Sequence, residues 1–242
     1  MAATPLIHLP SVYGDAIENM AVDSTLLQTN PEGHALFRHY GWIEPTLTFG
    51  YTQRFHEVSA LAPKDICHFR RPTAGGIVDH RNDWTYSLIL HDSLPSAQWP
   101  LKDIYRCIHQ SLQQALEKLQ VPSRLAPCPR QCQVSHDLPE DSPHCFIKPV
   151  ANDVLSLNDP TKIAGAAIKR SRSGILLQGS IDRSTLPLDF SFHKFAELFV
   201  QAIAQEFNLT TAELPDLRPL FPQSLIKDTR KHYASSQWLQ KR

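Results

Sequence analysis

Cys145 stands in the run His144-Cys145-Phe146-Ile147-Lys148-Pro149, and Lys162 opens the segment KIAGAAI a short way downstream. A cysteine attacks as its thiolate, and positive charge from Lys148, His144, Lys162 or His80 could draw the Cys145 pKa down toward neutrality. Free cysteine is also a common small buried hydrophobe, so both readings stand on residue type alone. Lys162 carries a similar pair of readings. Its ammonium could hold a carbonyl and the oxyanion that develops from it, while Ala164, Gly165, Ala166 and Ala167 let backbone amides come close. It could equally be an exposed lysine at the start of a strand. A third group is RRPTAGGIVDH, from Arg70 to His80. Gly75 and Gly76 permit close approach of backbone to a ligand, and Arg70 and Arg71 offer forked donors to phosphate or carboxylate. The plainer alternative is a glycine hairpin with two solvated arginines. No Gly-Lys-Ser/Thr follows as in a P-loop, and the three spaced glycines of a dinucleotide fingerprint are missing. Cys128, Cys132 and His136, with His144 or Cys145 as a fourth group, have the ligand types of a zinc knot, but intervening prolines weaken the match, so no metal site is assigned.

These residues need elements to place them. Asp15 and Glu18 form a capping-box pattern at the head of DAIENMAVDSTLL, with Ile17, Met20, Ala21 and Leu27 on one helical face. HALFRHY, TLTFGY, ICHFRR and WTYSLIL read as strands, being rich in β-branched and aromatic residues between turn signals. LKDIYRCIHQSLQQALEKLQ sets Leu101, Ile104, Tyr105, Ile108, Leu112, Ala115, Leu116 and Leu119 at helical spacing and predicts the longest helix. From Pro122 to Pro149 periodicity gives way to a loop rich in Pro, Cys and His. DVLSL, KIAGAAI and GILLQGSI follow as short strands, and FHKFAELFVQAIAQEF and SLIKDTRKHYASSQWL as two closing helices. Helices gathered at the ends of a mostly antiparallel sheet give an α+β fold in a single domain spanning 1–242.

The chain has 242 residues, 42% of them hydrophobic, enough for one substantial core. Its 24 basic and 24 acidic side chains give a net charge of +0 and no broad field for gripping nucleic acid or an anionic membrane. The N-terminal MAATPLIHLPSVYG has neither a charged n-region nor an apolar h-region, and no apolar run reaches membrane-span length. Five cysteines, an odd number, fit reduced thiols better than a disulfide framework. The expectation is a cytoplasmic protein without nucleic-acid or membrane partners.

NMAVDSTLL, PTLTFGYTQRF, RRPTAGGIVDH followed by WTYSLIL, and KIAGAAIKR stand in an order that resembles the biotin/lipoate protein ligase and octanoyltransferase superfamily. HCFIKP is similar to the Cys-Phe-x-x-Pro motif of its single-domain cysteine-dependent octanoyltransferases, and YASSQWLQKR looks like their C-terminal end. The resemblance implies a central mixed sheet flanked by helices and a tunnel for a medium-length acyl chain. It further implies a protein N-octanoyltransferase with Cys145 as nucleophile and Lys162 at the acyl carbonyl. Octanoyl-acyl carrier protein would be the donor. A lysine of a lipoyl domain or of the glycine-cleavage carrier protein would be the acceptor, and no cofactor would be needed. His80 aligns with a histidine that helps shape the acyl site, and Asp153 with an acidic position, though Asn152-Asp153 also reads as a simple turn. Arg70, Arg71, Thr73, Gly75, Gly76, His80, Asp153 and Gly165 are thus the expected substrate-binding set.

The match has departures. Ala74 replaces a glycine, Arg81 an acid, Gly165-Ala166-Ala167-Ile168 a Gly-Ser-Ala-Gln run, and Gln178 a histidine, so local polarity is lost. An inactive relative, a zinc-stapled binding module, and a lipoate-protein ligase using ATP and Mg²⁺ through an acyl-adenylate are the competing expectations.

Overall fold

The computed structural model describes residues 4–61, 63–127 and 149–241. In chain order the elements are β1 (Pro5–His8), β2 (Val12–Gly14), α1 (Ala16–Thr29), β3 (Ala35–Trp42), β4 (Thr46–Phe49), α2 (Phe55–Leu61), β5 (Cys67–Arg70), β6 (Val78–Asp79) and β7 (Asp83–His91). They continue with α3 (Leu101–Lys118), β8 (Ser123–Leu125), β9 (Val154–Ser156), β10 (Lys162–Ser171), β11 (Gly174–Asp182), α4 (Phe192–Glu206), β12 (Thr210–Ala212), α5 (Gln223–Tyr233) and α6 (Ser236–Leu239). The α+β expectation holds. A large mixed sheet runs β12-β1-β3-β7-β11-β10-β9-β8, with β2 beside β3. Its middle is antiparallel and its parallel pairings are confined to the β12-β1-β3 edge and β2.

Both faces of this sheet are covered, which is why β7 carries the unbroken apolar run Leu88-Ile89-Leu90. Alternation sends Phe37, Leu88, Leu90 and Leu177 into the core shared with α3 and α4, and Leu36, Ile89 and Leu176 into the core shared with α1. At roughly 25 cal/mol per Å² of apolar surface removed from water, these two layers are the main stabilising force. The helix α1 is capped as expected, Asp15 accepting the Glu18 amide at 2.7 Å. It is also buried on sides that its apolar pattern did not mark: Asn19 and Asp23 are both fully enclosed.

A smaller sheet, β5-β4-β6, carries the glycine loop between β5 and β6. Here Gly50 is obligatory, because a Cβ at that position would run into the backbone of Ala74 and Gly75. Gly75 itself has φ +94°, a conformation that L side chains rarely adopt.

Some elements differ from expectation. SLIKDTRKHYASSQWL is two helices, because Ser235 takes extended backbone and its hydroxyl caps the Trp238 amide at 3.2 Å. The stretch expected to be loop from Pro122 begins with strand β8, paired antiparallel to β9. TLTFGY is strand only to Phe49, since the chain turns at Gly50. The short strands β1, β2, β6 and β12 and the helix α2 are additional to the expected elements. No helix among the described residues is long and apolar enough to cross a membrane.

Candidate active site

Lys162 lies at the start of β10, opposite Leu155 of β9, and the register then shifts so that Ala164 faces Val154. This bulge inserts an extra residue into β10 and re-aims the chain there. The Lys162 Nζ lies 2.8 Å from Asp153 Oδ2, with side-chain exposures of 5% and 0%. Burying a charge pair is tolerable only when the remaining lone pairs are met, and here they are. Oδ2 also accepts the Val150 amide at 2.7 Å, and Oδ1 accepts the hydroxyl of Tyr105 from α3. Gly165 completes the arrangement. A Cβ there would stand 2.5 Å from Lys162 Nζ and 3.1 Å from Asp153 Oδ1, so the lysine side chain occupies the space a larger residue would take.

Lys162 and Gly165 line a narrow cavity of about 40 Å³ together with Ala166, Ala167, Gln178 and Gly179, and its far walls include Met20, Tyr40, Trp42, Thr48, Arg71 and His80. That volume is well below the roughly 300–1,000 Å³ common for small-molecule sites, so a ligand larger than a few atoms enters only if the walls part; the wall is mostly apolar with a few polar groups.

His80 is held from both ring nitrogens. Nδ1 lies 2.7 Å from Asp83 Oδ2, and Nε2 lies 2.7 Å from Thr48 Oγ1. The Asp83 carboxylate favours a proton on Nδ1, which leaves Nε2 to accept the Thr48 hydroxyl. Asp83 Oδ2 also accepts Thr85 Oγ1 at 2.8 Å and Ser180 Oγ at 2.5 Å. The indole of Trp42 stacks on the His80 ring at 4.1 Å and donates to Thr85 Oγ1 at 2.8 Å. Arg81, read from the sequence as a lost acidic neighbour of His80, points away to pair with Asp79. Asp83 supplies the carboxylate instead.

A second polar network closes another side. Gln178 Oε1 accepts the Thr73 hydroxyl at 2.8 Å, and its Nε2 donates to Asp23 Oδ2 at 2.8 Å. Asp23 is paired with Arg38 at 2.6 Å and also accepts Ser87 Oγ and Tyr40 Oη. The glycine loop is thereby tied through Gln178 to helix α1.

The expected set is therefore distributed in layers. Arg71, His80, Lys162 and Gly165 line the cavity. Asp153 and Thr73 sit one contact behind it, through Lys162 and Gln178. Arg70, Gly75 and Gly76 shape the loop: Arg70 Nη1 donates to the carbonyls of Tyr51 and Gln53 at 2.6 and 2.7 Å, and its Nε and Nη2 to that of Leu239. Cys145, like Cys128, Cys132, His136, His144 and Lys148, lies outside the described residues. Burial pushes the thiols of the two described cysteines, Cys67 and Cys107, up, the wrong direction for a nucleophile. Among the described residues no group of His, Cys, Asp or Glu could hold a metal ion.

Sequence reasoning missed Tyr105 as a polar contact, and with it Asp83, Trp42 and Thr48. Tyr105 was visible only as one apolar position among several on α3. The Asp83 carboxylate has a signal in the sequence, its spacing of three residues from His80.

Comparison with known proteins supplies the context. The family model for the lipoyl protein ligase A/B catalytic domain matches residues 15–208. The octanoyltransferase LipM of Kyrpidia tusciae is 33% identical over 173 residues, which cover 69% of this chain and 62% of that protein. The chain thus spans less than two thirds of that relative's length. Among solved structures, a lipoate-protein ligase A bound with ATP superposes with a TM-score of 0.72 at 16% identity, covering 98% of each chain. A bipartite lipoate protein ligase from Thermoplasma acidophilum, described along with its E2 lipoyl domain, gives 0.72 at 15% identity and covers 99% of this chain and 97% of that one. At such identities the superpositions establish the fold alone.

Proposed function

The chain belongs to the lipoyl protein ligase A/B catalytic-domain family, and on that premise we propose that it is a protein N-octanoyltransferase acting in protein lipoylation. The observation that carries the reading is the buried Lys162–Asp153 pair beside Gly165, set in the wall of a largely apolar cavity. The acyl chain inserts along this apolar wall, which parts to admit it. The Lys162 ammonium faces the acyl carbonyl, where negative charge develops during transfer, and a donor fixed in advance in a dry site is worth most there.

Two acyl-transfer steps follow. The Cys145 thiolate attacks the thioester carbonyl of octanoyl-acyl carrier protein. A carbon–sulfur bond forms to the enzyme, the one to the carrier breaks, and the carrier thiol leaves. The amine of a lysine on a lipoyl domain, or on the glycine-cleavage carrier protein, then attacks the enzyme thioester. An amide forms, the amine loses a proton, and Cys145 is regenerated. Thioester is exchanged for thioester in the first step, and the amide formed in the second lies downhill, so neither step calls for ATP or a metal. His80, held by Asp83 and Thr48 and stacked on Trp42, shapes the cavity wall.

The experiment is to incubate the protein with octanoyl-acyl carrier protein without ATP and follow the intact mass. A hydroxylamine-sensitive octanoyl adduct that is absent in Cys145→Ser is the expected result. An adduct that forms only from free octanoate with ATP and Mg²⁺, and persists in Cys145→Ser, would instead assign the adenylate route, with Arg71 in the cavity wall as the phosphate ligand. Zinc that is present in the purified protein and lost in Cys145→Ser would make Cys145 a metal ligand and remove it as a nucleophile.

A further inference from the structure

The ammonium assigned above to the acyl carbonyl is held by Asp153, and Asp153 is in turn held from a helix that contributes nothing else to the cavity. Tyr105 of α3 donates its hydroxyl to Asp153 Oδ1 and accepts the Ala166 amide of β10 at 3.3 Å. One turn further along α3, the His109 ring meets the Tyr105 ring edge-on at 4.3 Å. His109 is fully buried, and neither of its ring nitrogens has a well-formed hydrogen bond. Its place against Tyr105 is therefore one of packing. Asp153 Oδ2 is already engaged by Lys162 and the Val150 amide, so Tyr105 is the donor that completes the carboxylate. Burial and the adjacent carboxylate hold the phenol of Tyr105 well above its usual range, so it remains a donor at every working pH.

We propose that Tyr105 is a positioning residue: it fixes the Asp153 carboxylate and, through it, the direction of the Lys162 ammonium, coupling helix α3 to the reacting end of the cavity. The proposal rests on the reading of Lys162 as the group at the acyl carbonyl. Its closest test does not need that reaction to occur.

Tyr105→Phe removes the hydroxyl and leaves the ring against His109. In Tyr105→Phe, Asp153→Asn and the double variant, acetylation of Lys162 by an N-hydroxysuccinimide ester is followed by peptide mass spectrometry, alongside thermal unfolding and octanoyl transfer. The ester acylates the neutral amine, with loss of the lysine proton, and a side chain no longer held against the carboxylate presents that amine more readily, so Lys162 acetylation is expected to rise about tenfold in Tyr105→Phe, with other lysines unchanged. Octanoyl transfer should lose about tenfold in kcat, with KM for the donor within about twofold. In the Asp153→Asn background, Tyr105→Phe should change Lys162 acetylation by less than about twofold, because the link has already been cut. Unchanged Lys162 acetylation in Tyr105→Phe overturns the proposal, as does the same fold-change in both backgrounds. A lower melting temperature with unaltered acetylation assigns Tyr105 a purely structural role and also overturns it. A wild-type protein that transfers no octanoyl group, yet shows the acetylation pattern, sinks the function proposed above and leaves the positioning role standing.

Discussion

At Gly165 the space beyond Cα is filled by a neighbour's ammonium, and that makes this glycine a test of the buried Lys162–Asp153 pair. A Cβ there would lie 2.5 Å from Lys162 Nζ, the far end of a flexible side chain, and the backbone does not have positive φ. Displacing the lysine takes it from the carbonyl and also from the buried Asp153 carboxylate, so activity and stability fall together. Gly165→Ala is expected to lose about 100-fold in octanoyl transfer and to lower the melting temperature by several degrees, read by thermal unfolding and steady-state kinetics on the same preparation. Gln178 makes a contrasting case. Its sequence signal was a lost histidine and a loss of polarity, yet both ends of its amide are used, toward Thr73 and toward Asp23. Gln178→Leu strands a buried hydroxyl and removes one donor from a buried carboxylate. A cost of about 1–3 kcal/mol in urea denaturation is expected, because a buried polar group left unpaired bears its full desolvation penalty. That network could not be read from the sequence, since Asp23 and Arg38 stand fifteen residues apart on different elements and only the packing of α1 on β3 joins them.

At the scale of the element, α3 was the most legible part of the chain and concealed the most. Its apolar period places Ile104, Ile108, Leu112, Ala115 and Leu116 in the core, as the spacing predicts. The same period treats Tyr105 as one more apolar position, because periodicity records which face is buried and is silent on what a hydroxyl meets there. His109 is subject to the same limit, and it confers a pH dependence on the element. Burial, reinforced by the nearby Lys162 charge, lowers its pKa from 6.5 to about 3, opposed weakly by the Asn152 backbone. The unfolded chain takes up a proton at His109 below pH 6.5, whereas the folded chain does not until about pH 3, so this residue withdraws stability as the pH falls between those values. The limiting slope is about 1.4 kcal/mol per pH unit. In His109→Leu that component should vanish, leaving a shallower loss of stability between pH 6.5 and 3 than in wild type, measured by urea denaturation at stepped pH. Equal slopes in the two proteins would place the His109 proton elsewhere. The short strands β1, β8 and β12 were illegible for a different reason: three or four residues carry no period, and their pairing is decided by partners far along the chain.

Across the whole molecule, the ordered motifs forecast the sheet and the loop it carries, whereas the way the chain closes on itself emerges only in three dimensions. YASSQWLQKR looked like a terminal signature, and its physical content is a brace. Trp238 Nε1 donates to the Arg70 carbonyl at 2.8 Å, and the Arg70 guanidinium donates back to the Leu239 carbonyl at 3.2 Å. Tyr233 meets Ser24 of α1 at 2.6 Å and packs edge-on against Trp238 at 5.1 Å between ring centres. The C-terminal helices therefore hold the first helix and the root of the glycine loop together, and Arg70 belongs to that brace. Trp238→Ala removes a side chain only 6% exposed and should cost about 3–5 kcal/mol. The distribution of that loss is the sharper expectation. Amide exchange should quicken most where the loop is pinned, at Tyr51, bonded to the Thr73 carbonyl at 2.9 Å, and at Arg71, bonded to the Phe49 carbonyl at 3.0 Å. Amides of β7 and β11, paired along their whole length in the middle of the sheet, open only with the entire domain and should quicken by no more than the global loss of stability. If Tyr51 and Arg71 quickened only in step with β7 and β11, the C-terminal segment would be packing like any other helix, and the bracing of the loop by Trp238 and Arg70 would be wrong.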